Sequence, residues 1–304
     1  MPRFSVIIPC FNAADTLSDT LLSLLAQTCP DWEALVIDDG STDATVAIAA
    51  EAARFDPRIR LLPNPGKGPS AARNHGADMA RGEILAFCDA DDLWRRGKLT
   101  ALTNAFAETG VDAAYARVAF FDGDRVRSTS AETGGDLTMG PLLGENPVCT
   151  MSNLAVRRDV FQATGGFDTT LVQNEDLDWL IRMVGTGHRI AGINRVLVDY
   201  RTSVSGLSSD FAKLREGRTA ALRSAARFGH VADAQDEAVY LRYLARRALR
   251  VGAPPSEALS LAMAGLRQSL GGWFSDPRRG ALTLTGALAC PVLPRGLRRA
   301  LFAC

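Results

Sequence analysis

No run of about 18 uninterrupted apolar residues occurs in the 304-residue chain, so no transmembrane helix is expected. The most apolar late stretch, Gly280 to Leu293, is short and is interrupted by Pro291. Cys10, Cys29, Cys88, Cys149, Cys290 and Cys304 form no Cys-x-x-Cys pair, which argues against a zinc site and against a disulfide framework. Buried thiols in a reduced, cytoplasmic compartment are expected instead. Met1-Pro2-Arg3 enters a strand almost at once, without the layout of a signal peptide. His75, His188 and His230 show no metal-ligand spacing. Gly66-Lys67-Gly68-Pro69-Ser70 misses the spacing of a phosphate loop and reads as a flexible lead-in to the helix that follows.

The chain is 47% hydrophobic and 22% charged, which fits a globular protein with a sizeable core. Net charge is zero but unevenly spread. From Phe211 to Cys304 there are 15 basic and 6 acidic residues, a net of +9, and the remainder carries −9. An acidic front could hold a metal, and a basic tail could sit on anionic phospholipid or on a partner. No nucleic-acid partner is expected.

Phe4-Ser5-Val6-Ile7-Ile8-Pro9 is a continuous β-branched run, the mark of a buried strand. Leu17, Leu21, Leu24 and Leu25 then recur at helical spacing. Ala34-Leu35-Val36-Ile37 is a second buried strand, followed by Asp38–Asp43, whose last residues can cap a helix running to about Phe55. Ile59–Leu62 reads as a third strand, Ser70 as the cap of a helix through Ala80, and Ile84–Cys88 as the next strand. Strand–helix alternation predicts an α/β fold with a mostly parallel central sheet flanked by helices. Such sheets bind ligands at the carboxyl ends of their strands. Pro9–Asn12, Asp38–Asp43, Arg73 and Asp89–Asp92 all fall there.

Beyond Leu99 the pattern is mixed: a helix to Glu108, two strands near Ala113–Phe121, a strand at Asn153–Val156, a turn at Gly165–Asp168 and a helix from Glu175 to Val184. After Ser209 the chain is Ala/Leu/Arg-rich, with helices near Phe211–Phe228, Asp236–Val251 and Ser256–Leu270. The expected division is a catalytic domain over 1–210, with halves at about 1–98 and 99–210, and a basic, mostly helical region over 211–304.

Cys88-Asp89-Ala90-Asp91-Asp92 carries the sharpest chemical signal. Carboxylates this crowded repel one another unless a cation or polar ligand sits among them. Mg²⁺ and Mn²⁺ take oxygen ligands and are often bound through one or two carboxylates plus substrate phosphates. An acidic turn that caps the next helix is the other reading of the same residues.

Five motifs together resemble the family 2 glycosyltransferases. They are Ser5–Asn12, Val36–Asp43, Ala72-Arg73-Asn74, Asp89-Ala90-Asp91-Asp92 and Asn174-Glu175-Asp176, in that family's order and at similar spacings, over roughly residues 4 to 208. The resemblance implies a GT-A fold, a nucleotide-diphosphate sugar donor, a divalent metal and inversion at the anomeric carbon. It gives Asp39 the uracil contact, with Pro9 and Phe11 as the wall beside the base and Asn12 in the same donor site. Asp91 is the main metal ligand, and Asp89 lies nearer the ribose and the metal. Arg73 either pairs with the diphosphate or holds the carboxylates in place. Asp176 is the candidate base and Glu175 an acceptor contact, although two acids opening a helix also suit its macrodipole. Trp179 reads as helix core; Trp94 lies near the donor or packs.

Two departures stand out. Many members place a histidine after a Tyr-Arg pair, and here Tyr200-Arg201-Thr202-Ser203 has Ser203 there. Serine is a poor metal ligand, so water or diphosphate oxygens should complete the shell, with Arg201 sharing the load. No Gln-x-x-Arg-Trp motif follows, so transfer of a single sugar is expected rather than processive synthesis. The acceptor would be a glycan or lipid-linked hydroxyl in polysaccharide or cell-envelope biosynthesis. Two alternatives stand beside this reading. A nucleotidyltransferase would need a glycine-rich basic loop, and Pro9–Ala14 has neither glycine nor basic residue. A non-catalytic sugar-nucleotide binder is favoured only by Ser203. Arg295, Arg298 and Arg299, near Leu297 and Phe302, form either a short amphipathic segment on the inner membrane surface or a solvated helix.

Overall fold

In the computed structural model β1 (Phe4–Cys10) lies at the centre of the first half, buried along nearly its whole length. The structure describes residues 1–123, 125–202, 210–294 and 297–298. Ser203, Arg295, Arg299 and Phe302, on which two of the expectations above rest, lie outside them.

The chain leaves β1 through α1 (Leu17–Leu25), β2 (Trp32–Asp38), α2 (Thr45–Phe55) and β3 (Ile59–Pro63). It returns through α3 (Gly68–Met79) to β4 (Ile84–Phe87), which pairs with the other edge of β1. These four strands are parallel, and β1, β2 and β4 are buried along nearly their whole length, which is why they read as continuous rather than alternating hydrophobics, while the edge strand β3 is partly exposed. The reversal of strand order at β1 opens a crevice beyond the carboxyl ends of β1 and β4.

α3 starts two residues before the expected cap. Gly68 takes φ +82° and its N–H donates to Asp39 Oδ2 at 3.0 Å, so the helix begins at the glycine and leaves Ser70 buried in its first turn. That left-handed backbone is open to glycine at little cost.

Past β5 (Leu93–Trp94) and α4 (Lys98–Ala107), one ten-residue strand, β6 (Ala113–Asp122), stands where two short ones were expected. β7 (Arg125–Thr129) folds back on it. A short helix, α5 (Met139–Gly144), interrupts before β8 (Leu154–Arg157), α6 (Arg158–Ala163), α7 (Glu175–Gly185) and β9 (Ile190–Arg201). The nine-stranded sheet runs β3-β2-β1-β4-β8-β6-β9-β5, with β7 on β6. β8 is antiparallel to β4 and β6, and β9 is parallel to β6, so the sheet is mixed in its second half.

The chain divides into two compact units, Met1–Leu137 with Val148–Arg201, and Thr138–Pro147 with Thr202–Cys304. The second is helical among its described residues: α5, α8 (Phe211–Arg227), α9 (Ala234–Arg250), α10 (Pro255–Gln268), α11 (Leu270–Trp273) and α12 (Pro277–Ala289). Leu244, Ala245, Leu261, Ala262, Trp273 and Ala287 form its core. Asp210 caps α8, and Asp233 with Asp236 makes a capping box on α9. Arg218 of α8 donates to the Leu143 carbonyl at 3.0 Å, which ties α5 into this unit.

Candidate active site

The loops after β1 and β2 are knitted together. Asn12, at φ 47°, accepts a hydrogen bond from the Thr42 N–H at 2.8 Å, and its own N–H donates to Ser41 Oγ at 2.9 Å. Its side chain therefore braces the two loops. Asp39 follows directly from β2. Its Oδ1 accepts from Asn64 Nδ2 at 2.7 Å, and Lys67 Nζ sits 3.4 Å from Oδ2. Phe11 is 56% exposed beside this carboxylate, with Lys67 Nζ 5.1 Å from its ring centre. A large exposed aromatic ring next to a strand-end carboxylate is a surface to which a flat heterocycle can stack and hydrogen-bond.

The second cluster lies at the end of β4. The Asp89 N–H donates to Ser152 Oγ at 2.8 Å. Thr150 Oγ1 lies 3.4 Å from carboxylate oxygens of both Asp89 and Asp92. Asp92 is fully buried and accepts from the Arg201 N–H at 3.0 Å; burial, then Asp91 and Asp89, pushes its pKa well up. It acts as a strut, and Thr20 of α1 props the same turn through the Ala90 and Asp92 carbonyls. Asp91 is pushed up to about 6, first by burial and then by Asp89. Arg201 donates from Nε to the Asp91 carbonyl at 3.0 Å and reaches Asp19 at 3.4 Å, so it clamps the loop. Thr150, Ser152 and Thr20 carry no motif; only the fold brings them here. Trp94 is 3% exposed and donates to the Ser152 carbonyl at 2.9 Å, which settles it as packing.

Arg73 on α3 links this cluster to the third. Its side chain is 6% exposed, Nη2 donates to Asp89 Oδ1 at 2.7 Å, and Nη1 donates to Glu175 Oε1 at 3.0 Å. One guanidinium thus spans two carboxylates that lie far apart in sequence, so of the two sequence readings the structure displays the carboxylate-holding one. Charge-assisted pairs to a planar fork fix orientation as well as distance.

Glu175 and Asp176 open α7 behind Asn174, whose φ is 60°. The helix is pinned where it must be. Asn74 donates to the Phe167 carbonyl and accepts from its N–H at 2.8 and 2.9 Å. Arg182 donates to the Thr164 and Gly166 carbonyls, and Trp179, fully buried, donates to Thr164 Oγ1 at 3.0 Å. Gly166 sits at φ +62° with space for a Cβ only 2.7 Å from Asn74 Oδ1, so the close approach requires glycine. Phe87, Phe161, Phe167 and Trp179 stack edge-on and tilted beneath it. On this rigid seat Asp176 is pushed up to about 7 by burial and then by Glu175, against the opposing pull of the Leu177 N–H and Arg73. A half-buried carboxylate poised near neutral pH is suited to take a proton.

A divalent ion would find few protein donors here. Among the described residues no group of three or more His, Cys, Asp and Glu side chains is arranged to hold one. Asp89 and Asp91 remain as two hard oxygen donors, mutually repelling, with one Asp89 oxygen already on Arg73. That set fits Mg²⁺ or Mn²⁺ whose other ligands are water and the oxygens of a diphosphate.

Residues 5–165 match the model of a family described as Glycosyl transferase family 2, and the chain belongs to that family. Glycosyltransferase AglE of Haloferax volcanii is 30% identical over 201 residues, 65% of this chain and 66% of that protein. The PGL/p-HBAD biosynthesis glycosyltransferase of Mycobacterium tuberculosis is 31% identical over 211 residues, 68% of this chain and 80% of that one. The chain therefore spans a little under two thirds of AglE. Among solved structures, S. aureus TarS 1–349 in complex with UDP aligns with a TM-score of 0.60 at 21% identity, over 99% of this chain and 87% of that one. Mannosyltransferase PcManGT from Pyrobaculum calidifontis, in complex with GDP-Man and Mn²⁺, aligns with a TM-score of 0.54 at 22% identity, over 98% and 79%. These likenesses show the GT-A fold, with helices C-terminal to it.

Proposed function

We propose that this glycosyltransferase moves one sugar from a nucleotide-diphosphate sugar, with uracil as the base, to a hydroxyl of a glycan or lipid-linked acceptor, inverting the anomeric centre. The observation that carries the reading is the chain of contacts from Asp89 through Arg73 to Glu175, ending at Asp176 poised at about 7. Asp39, Phe11 and Pro9 hold the base, and Asp39 accepts the pyrimidine ring N–H. Asp89 and Asp91 would hold a divalent ion, which would supply positive charge to the diphosphate. Glu175 orients the acceptor. Asp176 takes the acceptor hydroxyl's proton as that oxygen bonds to the anomeric carbon from the face opposite the breaking bond to the diphosphate. The cell-envelope setting rests on relatives such as the PGL/p-HBAD biosynthesis enzyme; a cytoplasmic site of action is part of the same proposal.

Titrating UDP, GDP and dTDP calorimetrically, each with and without Mn²⁺, tests the donor site. Metal-dependent binding of UDP alone, lost in Asp91→Ala, is the expected result. Binding of none of the three would leave the carboxylate cluster without a donor and overturn the reading.

The pH dependence has a definite sign. Activity should rise as pH passes through about 7, because the base works only when ionised. Stability should move the other way. The folded-state pKa of Asp176 lies above the usual carboxylate value, so between the two the folded chain holds a proton that the unfolded chain has released. Its contribution to stability is therefore full at low pH and is lost as pH rises from about 4 to about 7. A kcat profile and a melting profile over that range check both halves. A flat kcat profile would remove Asp176 as the titrating base.

A further inference from the structure

α12 is amphipathic in the wrong sense for a helix on a soluble core. The side it buries is made of small residues: Gly280, Thr283, Gly286, Ala287 and Cys290. A Cβ on Gly280 would stand 2.7 Å from the Trp273 carbonyl oxygen, so the helix sits tight against α11, and Trp273 Nε1 donates to the Gly280 carbonyl at 3.1 Å. The side it exposes carries the large apolar groups. Leu282 is 64% exposed, Leu288 55% and Val292, just past the helix end, 82%. With Arg278, Ala281 and Thr285 these positions recur at i, i+3, i+4, i+7, i+10 and i+14, one continuous arc. Large apolar side chains gathered on one exposed arc mark an interaction surface rather than scatter.

The charge nearby names the partner. From Pro277 to Cys304 the sequence has five arginines, Arg278, Arg279, Arg295, Arg298 and Arg299, and no acidic residue; of these Arg279 is already paired with Asp276 at 3.2 Å. A protein partner would have to match that run with acids over a flat, greasy strip. An anionic bilayer offers both features at once, acyl chains for the leucines and headgroup phosphates for the guanidiniums. Among the described residues no helix is long and apolar enough to cross a membrane, so the contact lies in the interface plane.

We propose that the Leu282–Leu288–Val292 arc of α12 is a membrane-docking face that lies on anionic phospholipid, with Arg278 on the same arc bound to its headgroups. This places the contact on α12, ahead of the Arg295–Phe302 segment that the sequence pointed to. It is independent of the transfer chemistry.

Flotation of the full chain with vesicles tests it. Wild type should float with vesicles of equal parts phosphatidylglycerol and phosphatidylcholine and stay down with phosphatidylcholine alone. Leu282→Asp with Leu288→Asp should keep less than about a tenth of the bound fraction, since inserting a leucine contributes about ten-fold. Leu282→Ser with Leu288→Ser serves as the gentler pair if the first melts early. Calorimetric UDP binding in solution should be the same in all three chains, which separates this proposal from the donor site. Equal flotation of wild type and variants, or none by wild type, overturns it. So would concentration-dependent dimerisation that the variants abolish without any vesicle binding, which would make the arc a protein interface.

Discussion

Asp176→Asn should lower kcat by about 10³-fold, within the range a positioned general base contributes, while leaving UDP affinity almost unchanged. Asparagine is close in shape, and its carbonyl oxygen can still accept from the Leu177 N–H, which Asp176 holds at 2.7 Å. The fold of α7 should therefore survive. What disappears is the lone pair that takes the proton, and with it the rise of activity through about pH 7. A second consequence is less intuitive. Above that pH the wild type carries an ionised carboxylate in a half-buried place beside Glu175. The neutral amide avoids that cost, so the variant should melt higher than wild type at pH 8 and by a clearly smaller margin at pH 5. Single-turnover assays and melting curves at the two pH values test both. Unchanged transfer would end the base assignment. A loss of transfer accompanied by lower melting at pH 8 would mean that Asp176 acts by holding structure.

The legible parts of this chain are those where the signal is local. β1, β2 and β4 are apolar runs, and a motif at the end of such a run needs only the run to be placed. So the order of residues by itself sets Asp39, Asp89, Asp91 and Asp92 on one edge of the sheet. The unread parts depend on partners far away. β9 carries Arg195 and Asn194 in its middle and has a mixed burial pattern, because it shifts register twice against β6. Its strand character comes from pairing, and no periodicity announces it. α5 gives no sign that it belongs with helices much later in the chain; long-range contacts such as Arg218 to Leu143 and Arg246 to the adjoining Glu145 show it. Lys98 illustrates the same limit. It opens α4 like any surface lysine, yet it is fully buried, donates to the Asn153 carbonyl at 3.2 Å over the Trp94 ring, and is pulled down to about 7 by burial. Its partners come from β5 and the segment ahead of β8, and neither element could be placed around it from sequence alone.

Arg73→Met is the substitution expected to damage both stability and chemistry. Methionine roughly keeps the length of the side chain and removes its charge. Asp89 and Glu175 then face each other's neighbourhood without a counter-ion, in a place where the Arg73 and Glu175 side chains are 6% and 13% exposed. Stranding buried carboxylates in this way costs about 3 kcal/mol or more. Asp89 is 26% exposed, so water relieves its share and holds the loss to the lower end. Urea unfolding at pH 7 gives the figure. The catalytic effect has its own signature. Arg73 pulls the Asp176 pKa down, so its removal leaves burial and Glu175 to push the carboxyl higher. The rise of kcat with pH should therefore move above its wild-type position, and the variant should recover part of its activity in alkaline buffer. Arg73→Lys should fall between, since one ammonium group cannot present the two parallel donors that reach Asp89 Oδ1 and Glu175 Oε1 together. A stability loss with an unmoved pH profile would make Arg73 a structural tie alone. A moved profile would show that the same guanidinium that joins α3 to β4 and α7 also sets the proton affinity of the base.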